Sequence, residues 1–131
     1  MIVLTAALVL STNVATLTPQ CLDETPAEHL QRSSAVFAGR VLKVASSGEM
    51  QIVTFSVIKS WKGVRSTELT VANFVGPESV IFRKGRNYLV FAWHNENKLT
   101  TGACSALGLE SAGDAVQSLN RVQAHRRSLR G

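Results

Sequence analysis

Several signatures of chemistry are missing from this 131-residue chain. It has no nucleophile elbow, no glycine-rich phosphate loop and no Cys-x-x-Cys pair, so no enzyme class gains support and no cofactor is expected. Its three histidines, His29, His94 and His125, lie far apart without ligand spacing. They read as solvated or turn residues, and no metal site is expected. Aromatic residues amount to only 6%, too few for an extended track of stacked bases. No apolar run reaches the ~20 residues of a membrane-spanning helix. No charged side chain occurs before Asp23.

That uncharged start is informative in itself. Ile2 to Leu10 form a short hydrophobic run followed by Ser11, Thr12 and Asn13, the layout of a signal-peptide core. Cleavage after Ala15 would place Asn13 three positions before the cut, whereas cleavage after Thr16 would place Val14 there. Residues 1–16 are therefore read as the signal, which predicts a secreted or periplasmic protein. Export brings an oxidising compartment, and a cysteine count of two is then most simply one disulfide, Cys21 to Cys104. The remaining length suits one domain with a modest core. The net charge of +5 is misleading as a guide to the body of the fold, because Arg121, Arg126, Arg127 and Arg130 all fall near the C-terminus.

Thr25, Pro26 and Glu28 have the spacing of a capping box and predict a short helix over 26–31. Asp23 and Glu24 read as a polar approach to it. Ala35 to Ala45 and Gln51 to Trp61, rich in Val, Ile and Phe and separated by Ser46, Ser47 and Gly48, predict a β-hairpin. In the second run Val53, Phe55 and Val57 alternate with Thr54, Ser56 and Ile58, the period-two pattern of a strand with one wetter face. Gly39 interrupts the first run, as a bulge or sharp bend requires. Thr67 to Asn73, Asn87 to Trp93 and Leu99 to Thr101 complete five strands, with Asn95 to Asn97 turning the chain between the last two. Ser111 is placed to cap a helix whose Ala115, Val116, Leu119 and Val122 form an apolar stripe. Residues 125–131 read as a basic flexible tail. The expected fold is mainly β, a five-stranded barrel with a short N-terminal helix and a C-terminal helix. Trp61 and Trp93 are expected to pack in the core or at a barrel end, with room for one of them at the surface.

Five segments in order carry a family resemblance: Ala35–Val41 (AVFAGRV), Val53–Val57 (VTFSV), Ser60–Gly63 (SWKG), Lys84–Ala92 (KGRNYLVFA) and Leu99–Ser105 (LTTGACS). Together they resemble the netrin-like module, closest to the N-terminal domain of tissue inhibitors of metalloproteinases and their bacterial relatives. The likeness spans Cys21 to about Leu119, within a domain set at 21–124. It implies an oligonucleotide/oligosaccharide-binding (OB) type barrel with flanking helices. It also implies a partner-binding ridge of Cys21, Leu22 and Asp23 beside the loop Gly76, Pro77, Glu78 and Ser79.

Inhibitors of that family begin the mature chain with Cys-x-Cys, whose first amino group and carbonyl ligate a protease zinc. Here the residues are Cys21, Leu22 and Asp23, without a second cysteine. Cys104 matches the later family cysteine, so Cys21 corresponds to its partner. The other family bridge is missing at both ends, Glu78 or its neighbours standing in the partner's place. The expectation is an exported, non-enzymatic protein-binding module, with a zinc metalloprotease as candidate partner but without the chelating pair. The alternative is an OB-type barrel that binds nucleic acid or another polyanion. Its basic residues, however, cluster at the C-terminus rather than on strands.

Overall fold

Thr25 opens the first helix through a reciprocal cap. Its hydroxyl accepts from the Glu28 amide at 3.1 Å, while Glu28 Oε1 accepts from the Thr25 amide at 2.8 Å. With Pro26 in the first turn, this starts α1, Pro26–Arg32. The computed structural model describes residues 24–77 and 79–130.

Five strands then close into a barrel: β1 (Ala35–Ser47), β2 (Met50–Lys62), β3 (Glu68–Phe74), β4 (Asn87–Asn95) and β5 (Lys98–Thr101). β1 pairs antiparallel with both β2 and β4, β2 with β3, and β4 with β5. The ring closes where β3 runs parallel to β5, through Ala72 opposite Thr100 and Asn73 opposite Thr101. The resulting circuit, β1-β2-β3-β5-β4 and back to β1, is the OB-type arrangement. The predicted mainly β barrel with two flanking helices is the fold observed.

Two packed layers explain the two kinds of hydrophobic run. Phe37, Val41, Val53, Phe55, Val71 and Val90 fill the barrel. On the outside, Val36, Ala38, Leu89 and Phe91 meet Leu30 of α1 and Leu119 of the C-terminal helix. β1 from Ala35 to Gly39 and β4 from Tyr88 to Ala92 are thus buried on both faces and read as continuous apolar stretches, whereas β2 has one wetter face and alternates. Phe37, Phe55, Phe82 and Tyr88 meet edge to face in sequence, with centroids 5.2, 5.3 and 4.7 Å apart, and line up through the interior.

Gly39 marks a register shift between β1 and β2. A Cβ there would lie 3.1 Å from the rings of Phe37 and Phe55, so the bend and the interior packing both favour glycine. Gly63 is more tightly constrained: at φ +72 its added Cβ would sit 2.1 Å from the Ser34 carbonyl oxygen. Glu96 (φ 54) and Asn97 (φ 70) form the two-residue turn between β4 and β5 at the predicted place.

Three expectations need correction. A sixth short strand, β6 (Ala106–Gly108), pairs with β4 and has no counterpart in the sequence reading. Ser111 is not the cap of the last helix, because it belongs to a 3-10 turn over Leu109–Ser111 and the helix α2 begins at Gly113. α2 then continues to Arg130, so the segment expected as a flexible tail is helical. Arginine and leucine are good helix formers, and cations in the last turn complement the helix dipole. The predicted stripe is real: Leu119 is fully buried, with Ala115, Val116 and Val122 packed beside it.

Candidate partner-binding surface

The loop between β3 and β4 carries half of the predicted ridge. Its first part is a tight turn in which the Ser79 amide donates to the Gly76 carbonyl at 3.2 Å and the Gly76 amide donates to Ser79 Oγ at 2.8 Å. Glu78, within that turn, lies outside the described residues, as do Cys21, Leu22 and Asp23. The second part of the loop folds back into the barrel. Phe82 is buried in the interior, and a buried polar cluster holds it there. Gln51 Oε1 accepts from the Phe82 amide and from Asn73 Nδ2, both at 3.0 Å, while Gln51 Nε2 donates to the Phe82 carbonyl at 3.2 Å. Asn73 Nδ2 also donates to the Val80 carbonyl at 2.8 Å, and the Tyr88 hydroxyl accepts from the Arg83 amide at 2.9 Å. Gln51 shares strand parity with Val53 and Phe55, so its inward direction was present in the alternation, although its partners were not.

Large apolar side chains flank this turn on both sides. Phe74, which precedes it, is 45% exposed, and Ile81, which follows it, is 56% exposed. Gly102 lies next to Phe74: a Cβ on Gly102 would be 3.7 Å from Phe74 Cβ and 3.7 Å from the Trp93 ring. Two residues on, Cys104 adopts φ 60, a left-handed conformation uncommon for a side-chain-bearing residue. It is not a free thiol. The turn around it is held by the Ser105 amide, which donates to the Gly102 carbonyl at 3.1 Å, and by Thr101 Oγ1, which donates to the Phe91 carbonyl at 2.8 Å. A shallow cleft of about 330 Å³ beside it is bordered by Trp93, Ala103, Ser105, His29, Arg32 and Ser33. Trp61 is buried and Trp93 is half-buried at the surface, the division the sequence allowed.

The chain approaches this cleft through Glu24. Its carboxylate accepts from two nitrogens of Arg32, Nη2 at 2.8 Å and Nε on the second oxygen, a bidentate clamp. Glu24 is thus a fixed point, not merely a polar approach. The clamp holds the Glu24 carboxyl below the usual carboxylate range and raises Arg32. His29 Nδ1 stands 4.0 Å from Glu24, and its ring stacks on Phe91 with centroids 3.9 Å apart and planes 5° from parallel. Burial lowers the His29 pKa, which outweighs the opposing attraction of Glu24 and is reinforced by Arg32. His29 is therefore a packed residue, unlike the solvated one expected. His94 and His125 are exposed.

The strand face used for single-stranded nucleic acid in OB barrels, β2 and β3, has other features here. Thr54 and Thr70 face each other with their hydroxyls 3.4 Å apart, and β3 contributes Glu68 and no cation. Both lysines of β2 beyond its midpoint are engaged: Lys59 Nζ donates to Asn120 Oδ1 at 2.8 Å, and Lys62 Nζ donates to the carbonyl of Leu30 at 3.0 Å. Among the described residues no group of three or more His, Cys, Asp or Glu side chains is placed to hold a metal ion, and no helix is long and apolar enough to cross a membrane. No family model matches the chain, and comparison with curated proteins yields no match.

Proposed function

We propose that this chain is an exported, non-enzymatic protein-binding module of netrin-like type, resembling tissue inhibitors of metalloproteinases. Its partner surface combines the turn Gly76–Ser79 with Cys21, Leu22 and Asp23, which a Cys21–Cys104 bridge would hold against the Gly102–Ser105 turn. The observation that carries this reading is the pair of exposed apolar side chains, Phe74 and Ile81, on either side of the turn. Exposed aromatic and aliphatic groups on a rigidly supported loop are the usual anchors of a protein interface. The buried Gln51–Asn73–Phe82 cluster supplies that rigidity. The Glu24–Arg32 clamp fixes the chain immediately after Asp23.

Zinc metalloproteases are the first partner class to test. Without a Cys-x-Cys terminus, this chain would block such an enzyme by covering its substrate cleft, not by displacing the zinc-bound water. The test is a panel of zinc endopeptidases assayed with the processed, secreted protein, whose N-terminus is sequenced at the same time. Slowed peptide hydrolysis by at least one enzyme, abolished by Phe74→Asp with Ile81→Asp, is the expected result. Full activity of the whole panel in its presence would overturn the protease assignment. Unchanged inhibition by the double variant would overturn the proposed surface.

A further inference from the structure

A second recess touches α1 through Leu30. It has a volume of about 200 Å³, with Leu30, Trp61, Leu119, Val122 and Gln123 along its floor. Three arginines of α2, Arg126, Arg127 and Arg130, form its rim. We infer that this groove binds an acidic peptide segment of a protein partner, with one apolar side chain seated on the floor and flanking carboxylates held by the three guanidinium groups.

Among the described residues the rim charge is uncompensated: the ion pairs there both involve Glu24, with His29 and with Arg32, and none includes Arg126, Arg127 or Arg130. The sole acidic residue of α2 is Asp114, at its far end. Arg126 and Arg130 are one turn apart, and Arg127 and Arg130 are three residues apart, spacings at which like charges repel and weaken a helix. A bound carboxylate relieves that repulsion, and a guanidinium fork matches it in two-point geometry. All three side chains are exposed and can reach such a ligand.

Size and floor chemistry select the kind of anion. The recess holds about seven waters' worth of volume at roughly 30 Å³ each, enough for one apolar side chain. A bilayer surface is too flat to enter it. Stacked bases need an open aromatic face, but the Trp61 ring lies under Lys59 Nζ at 5.2 Å and its Nε1 donates to Asn120 Oδ1 at 2.9 Å. The recess lies apart from the Gly76 turn, touching α1 through Leu30, whereas His29, Arg32 and Ser33 border the first cleft.

The probe is a fluorescein-labelled peptide of four glutamates around one central leucine, titrated with the full chain and read by anisotropy. Saturable binding is expected, weakened by added salt and by replacing the leucine with serine. The variant Arg126→Gln with Arg127→Gln and Arg130→Gln, which leaves the buried floor intact, should lose roughly tenfold in affinity, the scale of three exposed ion pairs. Arg121→Gln removes a charge from the same helix but not from the rim, and should change affinity less than about twofold. Equal losses in the two variants would show a diffuse charge effect and overturn the site. So would binding indifferent to the leucine, or capture of an oligothymidylate or of vesicles with anionic phospholipid in preference to the peptide. Because the Gly76 turn is untouched, failure here would leave the protease assays unaffected.

Discussion

Replacing Gln51 with leucine, a side chain of similar size, removes three hydrogen bonds while leaving the barrel interior filled. The Phe82 amide, the Phe82 carbonyl and one Asn73 N–H would lose their partner in a buried setting. Each stranded group costs about 1–3 kcal/mol, so the expected loss is roughly 4 kcal/mol after some relaxation. Against a total stability of about 5–15 kcal/mol, that is a severe destabilisation. For a domain of this size it corresponds to a fall in Tm of about 15 °C or more. Thermal unfolding followed by circular dichroism measures the global loss, and hydrogen exchange at the Phe82 amide reports the loop directly. Faster exchange at Phe82 than at the β1–β2 hairpin amides is expected. A cycle with Asn73→Leu should be strongly non-additive, since both side chains serve the same loop. A Tm drop below about 4 °C with slow exchange retained at Phe82 would refute the idea that this cluster pins the loop.

Other outcomes follow from separate parts of the molecule. Gly63→Ala should destabilise by about 3 kcal/mol or prevent folding, because it combines positive φ with a clash against the Ser34 carbonyl; wild-type Tm in this variant would refute the constraint. Under the proposed Cys21–Cys104 bridge, closing a loop of roughly 80 residues contributes about 4 kcal/mol, so Cys104→Ser or reduction should lower the Tm markedly, and equal melting with and without reductant would count against the bridge. Burial lowers the His29 pKa below its ordinary value of about 6.5, so the unfolded chain binds the proton more readily. The resulting stability is complete above about pH 6.5 and is lost as pH falls from there through the folded-state pKa; His29→Phe should flatten that acid limb of a Tm-versus-pH curve, and an unchanged limb would refute the assignment.

The fold was readable because several local signals agreed. Thr25, Pro26 and Glu28 specified a cap that needs no tertiary help, and Gly48 and the Asn95–Asn97 turn separated strands whose alternation or apolarity was already clear. β6 was not readable, since Ala106–Gly108 is too short to show a period and exists through its pairing with β4. The end of α2 was misread for a related reason. Beyond Val122 the apolar stripe fades, but helix propensity does not, and Arg126 and Arg130 extend the helix without packing into the core. The surface around Phe74 and Trp93 was less legible. The turn at Gly76–Ser79 was proposed from resemblance alone, and the approach of Gly102 to Phe74 depends on parallel pairing between strands distant in sequence.

That parallel seam also depends on distant parts of the chain. The β1–β2 hairpin joins neighbours, whereas Ala72 and Asn73 meet Thr100 and Thr101 only once β4 and β5 are in place. Phe74 is the residue after one side of the seam and Gly102 the residue after the other. The proposed partner surface therefore assembles only when β3 and β5 pair, and a partially folded chain has no such surface to offer. A partner seated across that junction would draw the equilibrium toward the closed barrel by mass action, so tight binding and late-stage folding would be measured by the same free energy.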